Sequence, residues 1–187
     1  DTYHRRRRGP LPGAHFIIYD CTLITSLIEE LMTKDIFVFI EQRDGKIAQA
    51  ALQAVAAGKS LAAKTGGRVV AGIVGNDLAG VADQLDVTGV AATFIAQAAS
   101  LERYSALACT RALAALIAKA DPQIVLFAAT SMGRDLAPRV AMRLGAGLAT
   151  DCTEFDVDAS GALVVRRPIY NGKATSRVHF NPGKRQM

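Results

Sequence analysis

Asp35-Ile36-Phe37-Val38-Phe39-Ile40-Glu41 is the run on which the fold turns. Five consecutive apolar residues, all β-branched or aromatic, stand between two acids. A strand with one wet face would alternate apolar and polar residues, because successive side chains point to opposite faces. An unbroken apolar run instead predicts a strand covered on both faces, as in a parallel sheet.

The same pattern returns at 69–74 and 124–129, and more faintly at 90–95, where alanines dilute it. Helical spacing fills the gaps. Residues 47–64 place Ile47, Ala51, Ala54, Val55, Leu61 and Ala62 on one face. Gly66-Gly67 then supplies a stop, since glycine takes the left-handed conformation that ends helices. A turn at Gly75-Asn76-Asp77 leads into a short predicted helix at 78–85. Residues 104–119 predict a longer one, with Ala106, Cys109, Leu113, Leu116 and Ile117 inward. Lys119 suits its carboxyl end, and Asp121-Pro122 bars continuation. Another helix follows the turn at Thr130-Ser131-Met132-Gly133 and ends near Leu144, burying Leu136, Val140, Ala141 and Leu144. With Asp135 as its cap, Pro138 would fall in the first turn, where a missing N–H has no helical acceptor anyway.

This alternation predicts an α/β fold, a parallel sheet with helices on both faces. After Gly147 the pattern changes. Residues 148–157 and 163–169 are strand-like, with Ala159-Ser160-Gly161 between them. Asn171-Gly172 predicts a hairpin turn into 173–180. A C-terminal β-hairpin extension therefore closes the domain.

Composition bounds the function. The chain has 187 residues, half of them hydrophobic, and no Trp. That length supports one ordinary core. No apolar run approaches the roughly 18 residues of a membrane span. The net charge of +5 is unevenly spread. From Ala162 to the end stand Arg166, Arg167, Lys173, Arg177, Lys184 and Arg185 without an acid, just after Asp151, Glu154, Asp156 and Asp158. A solvated hairpin or a subunit interface accounts for this as well as nucleic acid does, and no nucleic-acid module with stacking aromatics is recognisable. Cys21, Cys109 and Cys152 are odd in number and far apart, which argues against a disulfide framework. His4, His15 and His179 have no zinc-like spacing with them, so no metal site is expected.

Residues 1–31 read as a leader foreign to the rest, opening on Arg5-Arg6-Arg7-Arg8 and Gly9-Pro10. Three readings compete: an added or mistakenly translated upstream stretch, an organellar transit peptide, or a helical extension at 23–31. Met32-Thr33-Lys34 reads as a natural start of the domain.

The chemistry-bearing loop is Ala129-Thr130-Ser131-Met132-Gly133-Arg134-Asp135. It sits at the carboxyl end of a predicted strand and opens a helix, and helix amino ends bind anions through free N–H groups. Thr130, Ser131 and Gly133 are thus candidates to cradle a phosphate, with Arg134 as charge partner. The alternative is an ordinary strand-to-helix turn with a capped start. Neither GxGxxG nor GxxxxGK[ST] occurs. No catalytic set emerges: Ser131 lacks a GxSxG elbow, His179 has no local partner, and Asp151 and Asp156 read as surface acids. Arg134, Asp135 and Arg139 suggest a surface ion network or an interface.

The segment 130–141, continued through Arg143-Leu144-Gly145-Ala146-Gly147-Leu148-Ala149-Thr150-Asp151-Cys152, strongly resembles the electron-transfer flavoprotein alpha subunit. So do Val38-Phe39-Ile40-Glu41 with Gly45-Lys46, and Arg167-Pro168-Ile169-Tyr170-Asn171-Gly172-Lys173-Ala174. The resemblance covers about 32–180. It implies an adenine-nucleotide-hydrolase-like α/β domain that packs against a beta subunit in a heterodimer. It also implies electron flow from flavin dehydrogenases, such as acyl-CoA dehydrogenases, toward the quinone pool. FAD in this family is held mainly by a carboxyl-terminal domain of alpha, which is expected to be absent from this sequence, with 181–187 the start of the link to it. No FAD ligand is therefore expected here, and no catalytic residue. The family implies the cytoplasm of a bacterium, or the mitochondrial matrix of a eukaryote. Two other readings stand beside it: a stand-alone adenine-nucleotide-binding domain similar to universal stress proteins, using 130–134, and a basic nucleic-acid binder using 166–185.

Overall fold

A computed structural model describes residues 34–159, 162–180 and 185–187. The leader at 1–31, the Ser160-Gly161 part of the predicted turn and most of the predicted link lie outside the described residues. In chain order the elements are β1 (Ile36–Phe39), a small hairpin of β2 (Gln42–Arg43) and β3 (Lys46–Ile47), α1 (Gln49–Thr65), β4 (Val69–Gly75), α2 (Ala79–Asp86), β5 (Ala92–Gln97), a 3-10 turn (Ala99–Leu101), α3 (Ala106–Ala120), β6 (Ile124–Leu126), α4 (Ser131–Leu144), β7 (Glu154–Val157), β8 (Leu163–Ile169) and β9 (Ala174–His179).

The expected parallel sheet is present, in the order β5-β4-β1-β6. β1 is buried throughout, and its side chains alternate between two cores. Ile36 and Val38 pack with Ala51, Val55 and Leu61 of α1 and Leu85 of α2. Phe37 and Phe39 pack with Leu113 and Ile117 of α3 and with Leu136 and Val140 of α4. Helices on both faces are what make an unbroken apolar strand stable, and each fully buried Leu, Ile or Phe contributes about 1.5–3 kcal/mol. Gly72 in β4 makes room for this: a Cβ there would lie 1.9 Å from Phe37 Cζ.

Beyond β6 the sheet continues through bridges. Gln186 pairs in parallel with both Ile124 and Gly147. Val125 N–H donates to Gln186 O at 2.8 Å, and Ala149 N–H to Met187 O at 2.8 Å. Residues 185–187 thus lie between β6 and the segment at 147–149. The second sheet is antiparallel, β7-β8-β9, and its Leu163 and Val165 join the α1 core. Gln186 ties the two sheets together, its Oε1 accepting Leu163 N–H at 2.6 Å.

Several local expectations are corrected. α4 begins at Ser131 with Thr130 as its cap, not at Asp135, so Pro138 stands inside the helix on an exposed position. The ring removes one i→i−4 bond, ordinarily a cost of about 3 kcal/mol, yet a good cap upstream and the burial of Leu136 and Val140 hold the helix. Ile47 belongs to β3, because Asp44 and Gly45 both take positive φ (51° and 75°) and fold 42–47 into a hairpin. The strand expected over 148–157 forms only from Glu154. The β8–β9 turn spans four residues, since Ile169 pairs with Ala174. Tyr170, Asn171 and Gly172 are all left-handed there (φ 51°, 53° and 83°).

Candidate functional site

In open parallel sheets, ligands gather outside the carboxyl ends of the strands where the strand order reverses. Here β4 lies on one side of β1 and β6 on the other, so the reversal falls between β1 and β6. Glu41 follows β1 at that mouth, and residues 127–130 follow β6.

Thr130 is the pivot. Its backbone is extended (φ −78°, ψ 172°), as an N-cap requires. Its Oγ1 accepts the Gly133 N–H at 3.0 Å and donates its own hydrogen to Glu41 Oε2. Arg134 N–H donates to Thr130 O at 2.9 Å, starting the helical ladder. Glycine is needed at 133, where a Cβ would lie 1.9 Å from Ala128 O. Ser131 is the exposed first residue of the helix. Arg134 points elsewhere, pairing with Asp151 at 3.1 Å.

The structure therefore brings Thr130 and Gly133 together, but in a hydrogen bond to each other. A phosphate approaching this turn would meet the Glu41 carboxylate and an N–H already bonded. Like charges in a partly dry crevice repel strongly. The residues present do not fit the pyrophosphate of a flavin dinucleotide.

Beside this closed mouth is a cleft of about 290 Å³, at the lower limit of the roughly 300–1,000 Å³ typical for small-molecule sites. Ala54 and Ala57 of α1, Phe127, Cys152, Phe155 and Val165 line it, and the Arg134–Asp151 pair stands at its edge. Burial pushes the Cys152 thiol up from its ordinary value, outweighing the pull of nearby Arg167. A thiol held protonated is a poor nucleophile.

A second polar group lies at the start of α3. Tyr104 OH donates to Asp135 Oδ2, and Arg139 Nε donates to Asp135 Oδ1 at 2.9 Å. The Tyr104 and Arg139 hydrogen bonds hold the Asp135 carboxyl below its ordinary range, while desolvation and the bond to Asp135 push the Tyr104 hydroxyl well above its own. The predicted surface acids are also paired: Asp156 bonds Lys64 at 2.9 Å, which lowers its carboxyl. His179 ends β9, exposed and opposite Val164. Among the described residues, no group of three or more His, Cys, Asp or Glu could hold a metal ion. None of the helices among them is long and apolar enough to cross a membrane.

Glu41 is the site residue that sequence reasoning missed. Its position was the available signal: it is the first residue past the buried run, at the carboxyl end of a central strand. Its partner stands 89 residues away.

Residues 36–185 match the electron transfer flavoprotein domain family. The chain is 33% identical over 154 residues to the electron transfer flavoprotein subunit alpha of Thermoanaerobacterium thermosaccharolyticum, covering 82% of this chain and 47% of that protein. It is 35% identical over 157 residues to protein FixB of Azorhizobium caulinodans, covering 82% and 42%. It is also similar to the acryloyl-CoA reductase electron transfer subunit beta of Anaerotignum propionicum, 34% identical over 125 residues, covering 67% and 34%. The chain spans less than half the length of these relatives.

Proposed function

Because this chain belongs to the electron transfer flavoprotein domain family, we propose that it forms the amino-terminal domain of an alpha-type electron-transfer subunit and carries no catalytic residue of its own. Its task is assembly. It docks a beta-type subunit and supports a flavin domain that holds FAD elsewhere in the complex. Electrons enter from a flavin dehydrogenase, with an acyl-CoA dehydrogenase as the leading candidate, and leave toward the quinone pool. The setting is the cytoplasm of a bacterium.

The observation that carries this reading is the closure of the switch point by Glu41 and Thr130. A domain of this architecture ordinarily offers that mouth to a ligand. Here a carboxylate occupies it and the cap consumes the Gly133 donor. In this reading Thr130, Ser131, Gly133 and Arg134 form the start and edge of α4 rather than a phosphate cradle. What remains is a well-packed scaffold with a projecting hairpin.

The test is electron entry into the assembled heterodimer. Mixed with a reduced acyl-CoA dehydrogenase, the complex should bleach its flavin absorbance at a rate that rises with its concentration. A complex whose flavin stays oxidised with every flavin dehydrogenase of the source organism would overturn the proposal. Titration calorimetry with AMP addresses the universal-stress-protein reading, and no saturable heat is expected.

A further inference from the structure

The end of the β8–β9 hairpin stands apart from the sheet that carries it. β7 pairs with β8 only from Leu163 to Arg166. Past that point Arg167, Pro168 and Ile169 pair with Ser176, Thr175 and Ala174 of β9, and among the described residues no third strand covers them. The ribbon ends on Tyr170, which is 78% exposed. Tyr170 is also left-handed (φ 51°), a conformation that is unusual for a bulky side chain and tends to gather at functional positions. Behind it, Arg167 Nε is buried without a hydrogen-bond partner, although buried donors are almost always satisfied. The described part of the chain from 162 to 180 holds four cations and no acid.

We infer that this ribbon is a docking arm, with Tyr170 as its anchor and Arg167 and Lys173 as its cations, for an acidic groove on the second subunit of the heterodimer. The inference rests on the functional reading above. Aromatic and arginine side chains dominate binding at the centres of protein interfaces. Nucleic acid fits less well. At the base of the ribbon Arg166 pairs with Glu154 at 3.1 Å, and Arg177 faces Asp156. Those two acids interrupt the continuous cationic track that a phosphate backbone needs.

The experiment measures affinity between the full alpha-type subunit carrying this domain and its second subunit by surface plasmon resonance. The variants are Tyr170→Gly, Lys173→Glu and, far from the ribbon on α4, Met142→Ala. Glycine takes the left-handed turn without strain, so Tyr170→Gly should melt no lower than the parent while losing the anchor. Tyr170→Gly and Lys173→Glu should each weaken binding by about tenfold or more, the first mainly by faster dissociation. Met142→Ala should bind like the parent. Unchanged binding by both ribbon variants, or equal weakening by Met142→Ala, would overturn the arm and leave the functional reading standing. A parent that binds no second subunit would overturn both. Salt-sensitive binding of a single-stranded oligonucleotide, lost in Lys173→Glu, would overturn the arm in favour of nucleic acid.

Discussion

The Thr130 hydroxyl donates to the Glu41 carboxylate across the mouth between β1 and β6. One side chain thereby caps a helix and closes the place where sheets of this kind usually hold a ligand.

Replacing Thr130 with Ala removes the cap on Gly133 N–H and strands the Glu41 carboxylate. Loss of such a cap costs about 1–2 kcal/mol, which lowers the melting temperature by roughly 2–8 °C at this chain length. Thr130→Ser keeps both bonds and should recover most of the loss. Thermal unfolding followed by circular dichroism checks the pair.

Tyr104 and Asp135 set opposite pH limits. The Tyr104 pKa is raised in the folded state. Its contribution is therefore complete below the ordinary tyrosine value of 10.0 and is lost as pH climbs through the folded value. The Asp135 pKa is lowered. Its contribution is present above the ordinary value of 3.8 and fades as pH falls through the folded value. Tyr104→Phe should leave stability near pH 7 within about 1 kcal/mol and flatten the decline above pH 10. Melting temperature against pH for both proteins measures this, and parallel curves would contradict it.

Asp35 is 1% exposed and accepts from Arg68 Nε and Nη2 at 3.2 and 2.8 Å. Arg68→Ala leaves that carboxylate buried without its guanidinium. Breaking such a pair costs about 3–5 kcal/mol. The lower end applies, because the Arg68 side chain is 55% exposed and the Arg68 backbone N–H still donates to Asp35 Oδ1 after the substitution. Urea unfolding midpoints test the value.

Gln186→Ala deprives Leu163 N–H of its acceptor, at a cost of about 1–3 kcal/mol for a buried group. Since Gln186 joins the two sheets, hydrogen exchange should accelerate at the Leu163 amide far more than at Val70, which lies on the far side of β1.

Much of the architecture was legible because it rests on local periodicity. The 35–41 run could be stable only with cover on both faces, and α1 and α4 supply it from opposite sides. Gly66 and Asp121 stop their helices in left-handed conformation (φ 70° and 42°), as a glycine and an Asp-Pro pair announce. The site was harder. Nothing near Glu41 names Thr130 as its partner, and the bond exists only because β1 and β6 are neighbours. A proline at 138 suggests a first turn and so a cap at Asp135, whereas Thr130 upstream already satisfies the Gly133 N–H and starts α4. The edge formed by 185–187 depends on pairing with residues about sixty and forty positions earlier, and sheet pairing at that separation leaves no periodic trace in a three-residue strand.

Native mass spectrometry of the protein from its natural source tests the central claim most directly. The account predicts a heterodimer in which a subunit containing this domain is bound to a second, beta-type chain and carries FAD. A subunit found alone, with neither flavin nor partner, would contradict it.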